Sequence, residues 1–492
     1  MKKTGIILLL VSVLIQVRSQ ELTETGIVNA MHSISSHDLL KYVGIQCDEK
    51  YQGRLTGTSG YQACADWLAG EFSEWGISPS GENGSWYQWF NVPYTMVLPD
   101  CGLTLHIPLK NGNILKQYNY ITEFMPGSTS GSGEITGEVV YAGYGITAPE
   151  LGYDDYRGID VKGKIIMIER ESPVNPSAGA DKFNPWYEYS FHQYKHANAI
   201  KHGAIGMLYN YGPIANPNNA YSEKFIYVHV GDSVVKDIFS GTGKDHREIV
   251  ATIDKTIKPQ SFNTGKVVTI KMSTVHFPEG KGSNVIGLLK GSDPELSKEV
   301  IIIGAHLDHL GMCYDLIPGA NDNASAVAVM MGVAKALAVN KIPLKRSVMF
   351  VAFGSEEQGL LGSKAFAADP IFPLKKSVLL NMDGVGIGQG INAAAGKDFP
   401  VLWSFFEEAN KKYIHRTLVT GSFSNLGRPR LDAAILLRAG VPSLSFSTFG
   451  SLNYYHIPMD NMEIIKPEIM EDMAQLLFLS VVAMANSPTP LI

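Results

Sequence analysis

Four apolar runs in the C-terminal half constrain this chain more than anything else in it: residues 300–304, 347–353, 378–380 and 443–446. Each is short and continuous in Val, Ile, Leu, Met or Phe rather than alternating, the pattern of strands covered on both faces in a parallel sheet. Between the first two lies a stretch rich in Ala, Val and Met, 324–339, long enough for a helix. Strand, helix and strand make a βαβ unit. The fold expected is α/β, a mixed, mostly parallel sheet with helices on both faces.

The residues after these runs carry chemistry. His306 and Asp308 follow the first, Glu356 and Glu357 the second, Asp383 the third, with Asp322 and His456 elsewhere in the same half. Open α/β sheets place their sites beyond the carboxyl ends of strands. Two imidazoles and five carboxylates suffice to ligate a pair of divalent cations and leave acids over, so the set reads as a two-metal hydrolase. Taken singly, each has an ordinary explanation: Asp322 as a helix cap, the Glu pair as a solvated first turn, Asp383 as a turn residue, His456 as a structural histidine. It is their joint occurrence at strand ends that points to one site.

The middle of the chain reads differently. Two β-rich runs, 138–146 and 161–168, flank a turn-rich loop, with Gly- and Ser-rich 127–133 and Pro/Gly-punctuated 278–283 toward either end. At 492 residues the chain exceeds one ordinary core. An inserted β-rich domain is expected at 111–270, between an N-terminal part of the catalytic domain, 21–110, and its main part, 271–492. Residues 60–75, at helical spacing, belong with the catalytic domain.

Composition excludes some partners. With 41 basic against 47 acidic side chains, net charge −6 and no basic block, nucleic acid is not an expected partner. Lys2-Lys3, an apolar run at 6–17 and Arg18-Ser19-Gln20 have the order of a signal peptide, 1–20, and the run is too short to span a bilayer. An exported enzyme, periplasmic or extracellular, without a stable membrane span is therefore expected. Cys47, Cys64, Cys101 and Cys313 form no CxxC pair, which argues against a cysteine metal site and leaves disulfides open.

Five motifs, "VIIIGAHLDHLG", "GANDNASA", "GSEEQGLLGS", "NMDGVG" and "YHIPMDNME", resemble the M28 zinc aminopeptidase family in order and spacing. "VVYAGYGI", "DVKGKIIMIER" and "KHGAIGMLYN" are similar to its protease-associated (PA) insert. The resemblance implies two Zn2+, with other divalent cations fitting the same ligands, bridged by Asp322. His306 and Asp383 would complete one site, Glu357 and His456 the other. It implies Glu356 as general base, Asp308 as acceptor of the second ring N–H of His306, and Tyr455 as hydrogen-bond donor to the developing oxyanion. His309 is read as a core or supporting histidine. The adjacent acids Glu356 and Glu357 can divide their jobs only across a sharp backbone turn.

The implied activity is removal of N-terminal residues from peptide substrates. Leu431-Asp432-Ala433 departs from the family's Ser-Asp-His near the substrate pocket, and Arg428 and Arg430 just upstream would suit a carboxypeptidase-like variant or be plain surface charges. A glutaminyl cyclase and a non-catalytic receptor-like module on the same scaffold are the remaining readings. The aromatic loop Trp186, Tyr187, Tyr189, Phe191 and Tyr194 would either line the cleft as part of a lid or pack within the insert.

Overall fold

A computed structural model describes residues 23–426 and 430–492. The catalytic sheet has nine strands. Its path runs Ser78–Pro79, Lys281–Leu289, Ser347–Phe353, Val300–His306, Ser377–Met382, Ser443–Phe449, Gly390–Ala394 and Leu418–Thr420, with Tyr87–Asn91 also pairing with Lys281–Leu289. Val300–His306 pairs in parallel with both Ser347–Phe353 and Ser377–Met382, and Ser377–Met382 with Ser443–Phe449, while Lys281–Leu289 and Gly390–Ala394 join antiparallel. The chain leaves Val300–His306 for one neighbour and later returns to its other side. That makes this strand the switch point of the sheet, where α/β folds open a crevice.

Both faces are covered. Ile301, Ile303 and Ala305 pack under the helices Ser325–Val339, Pro467–Asn486, Ser36–Gln46 and Ser59–Glu74. Val300 and Ile302 pack with Phe366, Ala433 and Leu436 from Leu361–Ala368 and Asp432–Arg438 on the other. The alternation follows the two-residue period of a strand. Among the described residues one helix, Ala320–Val339, is long and apolar enough to cross a membrane, and 83% of its apolar window is buried inside the protein. It is the central core helix.

A second, eight-stranded sheet runs Gly112–Gln117, Gly102–Leu109, Phe262–Met272, Gly133–Tyr141, Ile165–Glu169, Gly206–Asn210, Ile226–Val230 and Phe124–Pro126. It has cores of its own. Gly102–Leu109, placed by sequence in the N-terminal catalytic part, belongs to this sheet, because it forms a hairpin with Gly112–Gln117 and pairs with Phe262–Met272. The run at 138–146 is a strand only as far as Tyr141. Gly143 and Gly145 then adopt φ of +51° and +67°, turning the chain around the buried Asp155, whose carboxylate accepts the N–H groups of Tyr144 and Ile146 at 3.0 Å each. A Cβ at Gly143 would lie 2.3 Å from Asp155 Oδ1.

A small four-stranded sheet, Thr274–Phe277, Tyr94–Val97, Gly311–Cys313 and Asp315–Ile317, forms where the chain passes between the two larger sheets. All four cysteines are free thiols. Cys64 lies in the catalytic core and Cys313 in that of the second sheet.

Candidate active site

His306 ends the switch-point strand and is 2% exposed. Its Nδ1 donates to the carbonyl of Asp308 at 3.1 Å, and its Nε2 lies 3.2 Å from Asp322 Oδ1 and 3.7 Å from Asp383 Oδ1. The Asp308 carboxylate stands farther off, 3.7 Å from Nδ1, and is engaged elsewhere. Its two oxygens accept the backbone N–H groups of Glu356 at 3.1 Å and Glu357 at 3.2 Å. Asp308 therefore accepts the His306 ring N–H through its carbonyl and holds the Glu pair through its side chain, a second role that the sequence did not indicate. Successive N–H groups aimed at one carboxylate demand a bend, and Ser355 supplies it at φ +58°.

Asp322 sits in the irregular turn Ala320–Ala324, its peptide bond to Asn323 cis. The Asp460 carboxylate accepts the N–H groups of Asn321 and Asp322 at 2.7 and 3.0 Å. Asn321, Asn323 and Ser325 each accept an N–H from the loop that follows Asp383, from Gly386, Gly384 and Val385 respectively. What reads in sequence as helix-capping chemistry is instead a clasp between the Asp322 turn and the Asp383 loop.

Glu357 Oε2 and Asp322 Oδ2 lie 2.9 and 3.5 Å from His456 Nε2, and Glu357 Oε1 lies 2.9 Å from His309 Nδ1. His309 is thus a neighbour of Glu357, its ring edge-on to His456 at 5.8 Å. His456 adopts φ +61°, its Nδ1 donates to the carbonyl of Ala215 at 2.8 Å, and the Tyr455 ring stacks on it at 3.5 Å. The structure brings together every site residue named from sequence: Asp322, Glu356, Glu357, Asp383, Tyr455 and His456 border one cleft of about 680 Å3, with His306 and Asp308 beneath it.

The electrostatics are those of too many carboxylates. Burial works against a charged His306, yet the carboxylates of Asp308, Asp322 and Asp383 hold its pKa well above the usual value. Burial is likewise outweighed at His456, by Glu357 and Asp322. Glu357, which burial alone would raise, is brought down to about 2 chiefly by His456. Glu356, lacking such a partner, is pushed well up by burial and by the charges of Glu357, Asp432 and Asp383, against His306. Among the described residues two sets of donor atoms converge, each within 4.8 Å of one another: His306, Asp322 and Asp383, and His309, Asp322 and Glu357, with His456 Nε2 beside the second at 2.9 Å from Glu357 Oε2. Such a donor set fits divalent cations of the zinc type.

Other expectations resolve as follows. Arg430 lines the cleft and reaches across to the second sheet, 3.2 Å from Glu171 Oε1 and 3.3 Å from His192 Nε2, so it is not a bare surface charge. Arg428 lies outside the described residues. Asp432 is buried beside the site, pushed up to about 7 mainly by burial. Of the aromatic loop, Tyr187, Phe191 and Tyr194 line the cleft, whereas Trp186 packs edge-on against Tyr153 and Tyr189 bonds to Glu150.

Sequence reasoning missed Asp460, the clasp of Asn321, Asn323 and Ser325, and Arg54. The Arg54 side chain, 0% exposed, donates to the carbonyls of Leu307, Gln46, Pro318 and Gly319, strapping the His306 loop to the Asp322 turn. The only prior signal for Asp460 was its place in the motif that contains His456.

The sequence profile of peptidase family M28 matches residues 284–481. That stretch holds every ligand candidate described above. Over that stretch the chain matches peptidase family M28. Aminopeptidase YwaD of Bacillus subtilis is 26% identical over 335 residues, covering 64% of this chain and 70% of the relative. A vacuolar membrane protease of Candida tropicalis is 27% identical over 224 residues, 45% of this chain and 24% of the relative. The chain spans about a quarter of the length of the vacuolar membrane proteases it matches. Among solved structures, an aminopeptidase from Aneurinibacillus sp. strain AM-1 superposes with a TM-score of 0.62 at 20% identity, over 95% of this chain and 97% of that one. A zinc aminopeptidase from Bacillus subtilis gives 0.61 at 20% identity, over 93% and 97%. The likeness of fold to these structures thus extends across both sheets.

The vacuolar membrane relatives overturn the expected exported, periplasmic or extracellular location. A basic start followed by a short apolar run does not specify a compartment, and residues 1–20 lie outside the described residues.

Proposed function

We propose that this M28 peptidase is a two-metal exopeptidase that removes N-terminal residues from peptides. The observation that carries the reading is the placement of the two Asp322 oxygens, one 3.2 Å from His306 Nε2 and the other 3.5 Å from His456 Nε2. A carboxylate so placed would be shared by both cations. His306 and Asp383 would hold one cation, Glu357 and His456 the other, with zinc favoured by the mixed imidazole and carboxylate donors. Bound divalent cations of this kind make water acidic and polarise a scissile carbonyl.

The side chains supply the rest. Glu356 borders the cleft with no ring nitrogen beside it, and its raised proton affinity suits a group that takes a proton from the attacking water and returns it to the leaving amine. Asp308, by gripping the N–H groups of both Glu356 and Glu357, fixes the backbone that carries base and ligand. Tyr455, 43% exposed and braced on His456, presents its hydroxyl toward the cleft as a donor for the developing oxyanion.

The unit from 102 to 272, which we assign as a PA-like insert, walls the cleft with Tyr187, Phe191 and Tyr194 and so limits entry to short or flexible chains.

Rates on amino-acid p-nitroanilides, their N-blocked counterparts and N-blocked peptides with free C-termini test the reading, with and without chelator. Cleavage of the free-amine substrates alone, abolished by chelator, is the expected outcome. Cleavage confined to substrates with a free C-terminus would replace it with a carboxypeptidase.

A further inference from the structure

His456 is the one ligand candidate held from the second sheet. Its Nδ1 donates to the carbonyl of Ala215, and the N–H of Ala215 donates back to the carbonyl of His456 at 3.0 Å. Ala215 is fully buried, 241 residues away in sequence. The segment around it is itself pinned: Gly212 donates to the Val230 carbonyl at 3.2 Å, Asn216 donates to Ser128 Oγ at 3.0 Å, and the Ile214 carbonyl lies 2.6 Å from His229 Nδ1.

A carbonyl only accepts, so His229 Nδ1 carries the proton. His229, 1% exposed on the strand Ile226–Val230, packs against the rings of Tyr209 at 5.4 Å, Tyr211 at 5.2 Å and Tyr227 at 5.8 Å. The aromatic packing fixes the ring, the ring fixes the Ile214 carbonyl, and the next residue fixes His456.

We propose that His229 is a positioning residue for the cation site formed by Glu357 and His456, making the second sheet a structural part of that site rather than only a wall of the cleft. The proposal rests on the two-metal reading. Partners that orient a ligating histidine commonly change metal affinity about 10- to 100-fold when removed. By linkage, filling the site tightens the segment that supports it.

The test is titration of the chelator-stripped full chain with Zn2+ alone. In His229→Phe, which keeps the aromatic packing and deletes the donor, one of the two affinities should fall about 10- to 100-fold while the other holds. His229→Asn, whose amide N–H replaces Nδ1–H, should restore it, and on a His456→Ala background His229→Phe should cost nothing more. In the unmodified protein, amide hydrogen exchange at residues 211–216 should slow with the cation that fills this site and not with the other, a result independent of how the variants fold. Equal affinities in His229→Phe and parent, a fall at both sites together, or exchange unaffected by either cation would overturn the proposal. A parent that binds fewer than two cations would instead overturn the two-metal reading itself.

Discussion

The two histidines that flank Asp322 are held in opposite ways. His306 terminates a strand buried on both faces, and its Nδ1 is satisfied by a carbonyl two residues along its own chain. His456 lies on a loop in a left-handed conformation, and its Nδ1 is satisfied by a carbonyl 241 residues away on another sheet. One half of the site comes with the catalytic sheet. In the other, the orientation of His456 rests on a carbonyl of the second unit. A residue at φ near +60° without being glycine holds strain that its surroundings must compensate. For His456 that compensation comes from the paired bonds with Ala215.

The most severe test of the comparison is the group the halves share. Asp322→Ala should remove cations from both halves and abolish measurable turnover, whereas His306→Ala and His456→Ala should each leave one cation by elemental analysis. If Asp322→Ala keeps two, the halves are independent and the bridging picture is wrong.

Next in size, Glu356→Gln should lower kcat by about 10²- to 10⁴-fold, the usual worth of a general base, while leaving cation content at the parent value. A loss of one cation would instead make Glu356 a ligand and transfer the base role elsewhere.

The same contrast governs what the sequence made legible. The strands that carry His306, Glu356, Glu357 and Asp383 are continuous apolar runs, and a ligand one to four residues beyond such a run is placed by the strand itself. Local pattern suffices there. His456 was legible only as a residue of a motif, because what orients it is a backbone carbonyl, and a backbone carbonyl leaves no mark in sequence. Asp460 and Arg54 were hidden for a related reason. Their partners are backbone N–H and carbonyl groups of distant turns, so no residue pattern records the pairing. In the second sheet the runs at 138–146 and 161–168 showed that strands exist. They did not show where Gly143 would end the first, since that is decided by the fit around Asp155.

Arg54 sharpens the comparison because it touches the supports of both halves. Arg54→Met would remove the donor from three buried carbonyls and one half-buried one, each buried carbonyl costing roughly 1–3 kcal/mol when unsatisfied, with water recovering part of the loss. A net destabilisation of about 3 kcal/mol in urea unfolding is expected, with both cation affinities reduced together, in contrast to the one-sided effect expected at His229. An effect confined to one half would show that the Asp322 turn is set by Asp460 alone.

The smallest expected effect concerns the second sheet by itself, and its sign is fixed by linkage. Burial pushes the Asp155 carboxyl up to about 7, against the pull of the Ile146 N–H and the Tyr153 hydroxyl, whereas in the unfolded chain it titrates near 3.9. Between these values the folded protein binds more protons than the unfolded one, so Asp155 makes stability fall as pH rises from about 4 to about 7. Lys195, lowered by burial to about 7, acts in the window above and does not interfere. Asparagine at 155 can still accept the two N–H groups through its oxygen and donate its amide to the Tyr153 hydroxyl, so Asp155→Asn should fold and lose this slope. Hydrogen exchange across Ile165–Glu169, followed in the chelated protein at several pH values, reads the difference between parent and variant. If the His456 half depends on the second sheet as inferred, that pH-dependent loosening should reach residues 211–216 and leave Val300–His306 untouched; equal loosening of both would mean that the two units unfold as one and that the halves differ in geometry only.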